Sequence, residues 1–300
     1  MGMLFDLFEV PNEDNDAKLY KREKLKRLPI SENKAINFKK SNILELKFGS
    51  EKMKQFYTPN LSHLYFSFYK CESVDDRGWG CAWRSMQSAL KYQLSLTNQN
   101  RDKEISFYKL FMKYGDKNML IDIFMRMKKD LDISDVLNKL LNKKFSAHET
   151  DCGWAEPFIS QLVLYDFGFE GELILINGYS NHNYAPEEVF SRALNFKEFR
   201  ELLRKYFKQE NPGPIIIDDS YSSLSIIGVS FDDENQNTEL IIMDPHTVEY
   251  PENGLYIIKL NEEGGFLEVI PNEHVLCSRS VKFSDNKPWM AYIPTIKSID

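Results

Sequence analysis

The pattern of apolar and polar positions changes from helical spacing in the first half of the chain to short β-type runs in the second half. From Cys81 onward, apolar side chains recur at intervals of three and four residues, at Trp83, Met86, Leu90 and Leu94. This spacing predicts an amphipathic helix whose apolar face packs against a core. Cys81 therefore lies at the N-terminus of a predicted helix.

Helical patterns continue over residues 104–145 and return over residues 154–169. The first region contains EISFYKLFMKYG, which ends at Gly115, then NMLIDIFMRMKKDL, and then SDVLNKLLNKK behind a capping signal at Ser134. The second region is WAEPFISQLVLYDFGF. The Met and Phe side chains of these helices are expected in the core.

Short runs rich in β-branched residues follow, and they predict the strands of a sheet. They are ELILIN, PIIID, LSIIGVSF, ELIIMD, LYIIKL and WMAYIPTI. The polar loop DDENQNT joins LSIIGVSF to ELIIMD and predicts a hairpin, so the sheet is expected to be mainly antiparallel. A helical half followed by such a sheet predicts the α+β class.

Composition separates an N-terminal extension from a compact domain. Residues 1–50 are expected to form a polar, basic and flexible extension, because residues 11–50 are rich in lysine and lack sustained periodicity. Residues 51–300 are expected to form the folded domain. A chain of 300 residues, 42% of them hydrophobic, is long enough to bury a large core.

Charge and cysteine content exclude several classes of function. The formal net charge of −7 argues against general nucleic-acid binding, which needs a basic face. The cysteines show neither the density of a disulfide framework nor a CxxC pair for zinc, which favours the reducing cytosol. They are Cys71, Cys81, Cys152 and Cys277. No signal peptide and no integral membrane segment is expected, since no apolar run reaches about 18 residues.

Sequence motifs narrow the candidate nucleophile to a cysteine. The stretch GWGCAW lacks the third glycine of a dinucleotide-binding loop. The chain contains no phosphate-binding GxxxxGK[ST], no zinc-binding HExxH and no serine elbow GxSxG. We therefore expect no metal and no other cofactor.

Cys81 has the local setting of a reactive thiol. The N-terminus of a helix favours a thiolate and offers backbone N–H groups that can bind an oxyanion. Gly78 and Gly80 would let a scissile peptide approach the backbone closely, and Trp79 can form a wall of the groove. The alternative is that Cys81 is a small buried residue at the start of a core helix. This stretch by itself favours neither interpretation.

A thiolate nucleophile needs an imidazole partner. The histidines of the chain are His63, His148, His182, His246 and His274. His246 ends the stretch IIMDPH, where an apolar strand leads into a turn that Pro245 fixes between Asp244 and the imidazole. The alternative is an incidental histidine beside a common strand-ending turn.

The two motifs DDRGWGCAWRSMQ and IIMDPH together resemble those of the ubiquitin-fold modifier (Ufm)-specific cysteine proteases. That family carries G-W-G-C-x-Y-R-S/T-x-Q at a helix start and a later D-P-H. The upstream run YFSFYKCESVDDRGWGC is similar to the family's Y-x-x-Y-x-C…D-D-R-G-W-G-C, and GWAEPFISQLVL is similar to its W-I-G-x-x-x-x-Q-L-V-L helix. The resemblance covers roughly residues 62–296.

This resemblance implies a papain-like fold and a set of catalytic roles. Cys81 is the implied nucleophile, His246 the general base and acid, Asp244 the residue that orients the imidazole, and Tyr69 the oxyanion donor. The implied substrate groove is lined by Gly78, Trp79, Gly80 and Trp154. The implied reaction is hydrolysis after the C-terminal glycine of the ubiquitin-fold modifier, and the implied partners are this modifier and its conjugates.

Departures from the family pattern leave the substrate open. The family's segment with A-H-T is DDSYSSLS here, where Leu224 stands at the position from which the ubiquitin-cleaving branch takes its histidine, and WIG is WAE. The autophagins, which process Atg8-type modifiers, share GWGC and DPHT. An autophagin-like or deubiquitinating protease is therefore one alternative, and a non-catalytic module that binds ubiquitin-like proteins is another. A redox or acyl-transfer thiol enzyme would need Cys71 or Cys152 as a second thiol.

Overall fold

The computed structural model describes the greater part of the chain, in segments separated by gaps. These are residues 35–38, 42–99, 105–115, 117–127, 155, 157–176, 190–219, 222–232, 237–248, 251–260, 267–269 and 289–298. Within them helices precede a mainly antiparallel sheet, so the predicted α+β class is confirmed. The predicted helix SDVLNKLLNKK lies outside the described residues, as do Trp154, Cys152 and Cys277.

The described helices include ones that the apolar spacing predicts and ones that it does not. They are α1 (Ile43–Phe48), α2 (Ser50–Met53), α3 (Cys81–Leu96), α4 (Phe107–Tyr114), α5 (Lys117–Met127), α6 (Pro157–Asp166) and α7 (Phe196–Phe207). The predicted helix that begins at Cys81 is confirmed as α3. No helix within the described segments is long and apolar enough to cross a membrane.

Helix α7 was missed, although its start carries a sequence signal. The Asn195 side chain accepts a hydrogen bond from the Glu198 backbone N–H, and the Glu198 carboxylate accepts one from the Asn195 backbone N–H. This reciprocal pair is a capping box, which satisfies backbone donors that the helix itself leaves unpaired. An Asn followed three residues later by Glu was therefore a signal from which this helix could have been predicted.

The strands form a small two-stranded sheet and an eight-stranded sheet. They are β1 (Ile36–Asn37), β2 (Tyr65–Phe66), β3 (Phe169–Ile176), β4 (Arg192–Leu194), β5 (Ile215–Asp218), β6 (Ser223–Asp232), β7 (Asn237–Met243), β8 (Leu255–Leu260), β9 (Leu267–Val269) and β10 (Trp289–Ser298). The order in the large sheet is β4-β3-β10-β5-β6-β7-β8-β9. All six predicted strands are present, and β6 and β7 form the predicted hairpin. Only β3 and β4 among these pairs run parallel.

Part of the predicted flexible extension packs on the domain. Strand β1 pairs with β2, and the side chains of Phe38 and Leu44 are buried in a core cluster with Phe66. A few well-placed apolar side chains are enough to anchor this lysine-rich segment, and the division into an extension and a domain at residue 50 stays a prediction. Residues 1–34 lie outside the described part of the chain.

Helix α3 is the central element of the helical half. It contacts strands β2, β5 and β6 on one side and helices α4 and α6 on the other. Almost all of its side chains are buried, including the predicted apolar positions Trp83, Met86, Leu90 and Leu94. Because it is enclosed on both sides, the position of Cys81 at its first turn is determined by core packing.

Candidate active site

The Cys81 thiol lies at the first position of α3, between two predicted site residues. Gly80 precedes the helix and provides no side-chain cap for its first turn. The thiol lies close enough to the hydroxyl of Tyr69 and to the imidazole of His246 to raise the pKa of both groups. The structure therefore brings together three residues that are far apart in sequence.

Asp244 and His246 follow strand β7 and are held by a tight set of contacts. Asp244 Oδ1 accepts hydrogen bonds from the His246 backbone N–H at 2.9 Å and contacts the ring Nδ1 at 2.5 Å. With Nδ1 directed at the carboxylate, Nε2 is the ring nitrogen left to face Cys81. Asp244 is thus in direct contact with the imidazole, and its role in orienting the ring stays a prediction.

Tyr69 connects the two halves of the site. Its backbone N–H donates to the carbonyl of Pro245 at 2.9 Å, and its ring lies edge-on to the His246 ring at a centroid distance of 5.2 Å. Its buried hydroxyl has no hydrogen-bond partner among the described residues. A donor in this position is available to an oxyanion that forms beside the sulfur.

Burial and neighbouring charges act on the titratable groups of the site. Burial lowers the pKa of His246, but hydrogen bonds and charge interactions with Asp244 and Cys81 outweigh it and raise the pKa from 6.5 to about 10. Burial, followed by the negative character of Cys81, Asp76 and Asp244, raises the pKa of Tyr69 far above its ordinary value. His246 is therefore protonated and Tyr69 is a neutral donor at neutral pH.

A buried ion pair ties the Tyr69 segment to helix α3. Arg84 Nε donates to Asp76 Oδ2 at 2.7 Å, and both side chains are fully buried. The other oxygen of Asp76 accepts from the Lys70 backbone N–H at 2.9 Å, and Arg84 donates to the Cys71 carbonyl at 2.8 Å. Since Arg84 lies one turn beyond Cys81, these bonds set the position of Tyr69 relative to the thiol.

Glu72 extends this network to the next helix. Its carboxylate accepts from Gln87 Nε2 at 2.8 Å and from the Phe107 backbone N–H at 2.7 Å, at the first residue of α4. The Arg84 guanidinium also lies 3.9 Å from the centre of the Phe107 ring. We call Glu72, Asp76, Arg84 and Gln87 the polar clamp. Sequence reasoning missed it, although an Arg and a Gln among apolar helix positions were a signal.

The glycines and the tryptophan of the GWGC motif have local structural roles. A Cβ on Gly80 would lie 2.3 Å from Asp76 Oδ2, so glycine lets the helix start approach the polar clamp. Gly78 has a φ of +85°, which favours glycine. The Trp79 side chain is 9% exposed and packs against the rings of Phe107 and Phe111. The prediction that these residues line a substrate groove stays a prediction.

The remaining residues that the sequence analysis considered for the site lie elsewhere in the structure or outside its described part. Cys71 is a free and fully buried thiol, and burial raises its pKa. Leu224 is buried in β6. Among the residues described, no group of three or more His, Cys, Asp or Glu side chains is arranged to hold a metal ion. His148, His182 and His274 lie outside the described residues. The Nδ1 atom of His63 makes a hydrogen bond with the hydroxyl of Ser95, away from Cys81.

Comparisons with known proteins agree with the resemblance seen in the motifs. Residues 57–112, which include Tyr69 and Cys81, match the sequence profile of Peptidase family C78. A "Ufm1-specific protease" of Caenorhabditis briggsae is 24% identical over 185 residues, which are 60% of this chain. The aligned part is 24% of that relative, so the chain spans about a quarter of its length. The resemblance to Ufm-specific proteases is thereby confirmed.

A crystal structure of UfSP from C. elegans is similar to this fold. The TM-score is 0.46 and the sequence identity is 17%. The superposition covers 81% of this chain and 34% of the other.

The buried ion pair of the polar clamp leads to a prediction about the stability of the protein. Replacing Arg84 by Met leaves the buried Asp76 without its charged partner, so the free energy of unfolding should fall by about 3–5 kcal/mol. Urea denaturation measures this change. The matched control is Arg77→Met, because Arg77 also pairs with an aspartate, Asp75, but at the surface. Its effect should be much smaller, since water screens that pair. Equal losses would contradict the assigned role of the clamp.

The raised pKa of His246 makes a prediction about pH. The folded pKa of about 10 lies above the ordinary 6.5. The stabilisation from protonated His246 is therefore fully present below about pH 6.5 and is lost as the pH rises through about 10. We expect the stability difference between the wild type and His246→Gln to decrease over this range in urea titrations. A difference that does not vary with pH would refute the predicted ionisation.

Proposed function

We propose that this protein is a cysteine protease that hydrolyses the bond after the C-terminal glycine of the ubiquitin-fold modifier. The observation that carries the proposal is the arrangement of Cys81 between His246, which Asp244 holds, and the unpaired hydroxyl of Tyr69. Sequence similarity to a Ufm1-specific protease supports the choice of modifier. The papain-like fold that the motifs implied is part of the same proposal.

At the start of acylation, the Cys81 thiol has already transferred its proton to His246. The sulfur attacks the carbonyl carbon of the C-terminal glycine, and the carbonyl oxygen becomes an oxyanion. Tyr69 and the uncapped backbone N–H groups at the start of α3 donate to this oxygen. The intermediate then collapses: the C–N bond breaks, His246 gives its proton to the leaving amine, and a thioester with Cys81 remains.

Deacylation uses the same groups in the reverse order. His246, now neutral, removes a proton from a water molecule that attacks the thioester carbon. The second oxyanion occupies the same position beside Tyr69. Collapse breaks the C–S bond and releases the Cys81 thiolate and the glycine carboxylic acid, which gives its remaining proton to solvent and leaves as the carboxylate. The protonated His246 and the thiolate of the starting state are thereby restored. Asp244 stabilises the imidazolium at both stages and keeps its charge throughout.

The proposed groove extends the site toward the tail of the modifier. Gly78, Trp79, Gly80 and Trp154 are its proposed lining, and a narrow groove there would admit a residue without a side chain. The free cysteines Cys71 and Cys81 suit a reducing compartment, and we propose the cytosol. Precursor maturation and deconjugation both break a bond after glycine, so the mechanism serves either task.

Electrophile-tipped modifiers test reaction and substrate together. Probes built on the Ufm, Atg8-type and ubiquitin tails are incubated with the protein, and intact mass spectrometry detects the adducts. We expect an adduct with the Ufm probe at Cys81 and none in Cys81→Ala. Cys71→Ala is the matched control and should retain labelling, because that buried free thiol lies outside the proposed mechanism.

Each other labelling pattern would change the proposal in a defined way. Labelling by the Atg8-type or ubiquitin probe instead would keep the thiol mechanism and replace the substrate by that of an autophagin-like or deubiquitinating protease. No adduct with any probe, together with ordinary reactivity toward iodoacetamide, would leave a non-catalytic binding module. A redox enzyme would show a disulfide under mild oxidation.

Tyr69→Phe tests the oxyanion donor. Removing one such donor should lower the hydrolysis rate by about 10²- to 10³-fold. Stability should not fall, because the hydroxyl makes no hydrogen bond to any described residue. The rate is measured by single-turnover hydrolysis of a modifier with a fluorescent leaving amine, and stability by urea denaturation. An unchanged rate would remove Tyr69 from the mechanism.

A further inference from the structure

The carboxylate of Asp244 is held from two directions. Its Oδ1 faces His246, from which it accepts the backbone N–H and contacts the ring. Its Oδ2 accepts a hydrogen bond from the hydroxyl of Tyr256 at 3.1 Å. Both Asp244 and Tyr256 are 3% exposed, so water does not compete freely for this oxygen. Each carboxylate oxygen therefore has its own partner.

The register of the sheet explains why these side chains meet. Tyr256 on β8 lies directly opposite Ile242 on β7. Asp244 comes two residues after Ile242, so its side chain leaves on the same face of the sheet and is the diagonal neighbour of Tyr256. If β8 were shifted by one residue relative to β7, the Tyr256 hydroxyl would lie on the opposite face of the sheet from Asp244.

The backbone of Asp244 is held by the same connection. Its N–H donates to the Gly254 carbonyl at 2.7 Å, two residues before Tyr256. A Cβ on Gly254 would lie 2.4 Å from the Asp244 carbonyl oxygen, so the two segments are in close contact there. The Tyr256 ring itself packs in the core cluster that contains Ile242 and Ile258. The hydroxyl thus comes from a rigid element.

We propose that Tyr256 is a positioning residue that acts through Asp244. This inference rests on the proposed function. The Tyr256 hydroxyl holds the carboxylate in the rotation that directs Oδ1 at His246, and thereby keeps the imidazole directed at Cys81. Without the hydroxyl, the buried Oδ2 loses a donor, and the carboxylate can rotate so that the two oxygens exchange places. Tyr256 does not need to touch substrate for this role.

The test is Tyr256→Phe, which removes one oxygen and keeps the ring. The rate of Cys81 alkylation by iodoacetamide and the rate of modifier hydrolysis should each fall about tenfold, as expected for one lost hydrogen bond to a charged group. The KM for the modifier should not change. Tyr206→Phe is the matched control, because its buried hydroxyl also makes hydrogen bonds, to Pro294 and Gly213, outside the site. Its rates should equal those of the wild type.

A double-mutant cycle separates positioning from a general structural effect. In an Asp244→Asn background, Tyr256→Phe should lower the alkylation rate by less than about twofold, because the residue through which it acts has already changed. An equal fold-loss in both backgrounds would overturn the proposal. No loss in the wild-type background would also overturn it.

A spectroscopic readout keeps this test independent of the proposed function. The proton between His246 Nδ1 and Asp244 should give a downfield proton resonance in NMR spectra. Tyr256→Phe should shift or broaden this resonance, whereas Tyr206→Phe should leave it in place. An unchanged resonance would overturn the positioning role even if the protein proves to be a binding module. Failure of the modifier probes to label Cys81 would instead count against the proposed hydrolysis alone.

Discussion

The buried pair of Asp76 and Arg84 is the interaction on which the site depends. It joins the segment that carries Tyr69 to the helix that carries Cys81, with no exposure of either side chain to solvent. Two charges are costly to bury, and the cost is offset here by further hydrogen bonds to the Lys70 N–H and the Cys71 carbonyl. Gly80 is required because any larger residue would collide with Asp76. The GWGC motif around the thiol thus has a structural role beside the polar clamp as well as its proposed chemical role.

The second half of the site is attached through Tyr69. Its backbone binds the carbonyl of Pro245, while its side chain reaches Cys81, so one residue relates the helix to the turn after β7. Asp244 and His246 are in turn supported by Tyr256 and Gly254 on the neighbouring strand. The hydrogen bonds that connect the polar clamp to β8 are made largely by backbone groups, and core packing immobilises these groups. Such support is what a preorganised site requires.

The chemistry follows from this rigidity. His246 is protonated at neutral pH because Asp244 and Cys81 outweigh the effect of burial on its pKa. Tyr69 remains a neutral donor because burial and negative neighbours raise its pKa. The proposed proton donor, proton carrier and nucleophile therefore lie close together among buried side chains, which would favour electrostatic stabilisation of a developing oxyanion. The match to Peptidase family C78 covers the same motif, since residues 57–112 contain both Tyr69 and Cys81.

The sequence by itself determined the six longer strands, several of the helices and the reactive candidates. The spacing after Cys81 predicted α3, the alternating runs predicted the β6–β7 hairpin, and the motifs selected His246 from the histidines of the chain. Tertiary structure alone decided which buried polar groups meet. Arg84 finds Asp76 and Tyr256 finds Asp244 because core packing and sheet register bring these pairs together. Local periodicity is set by backbone geometry over a few residues, whereas such contacts depend on how whole elements pack.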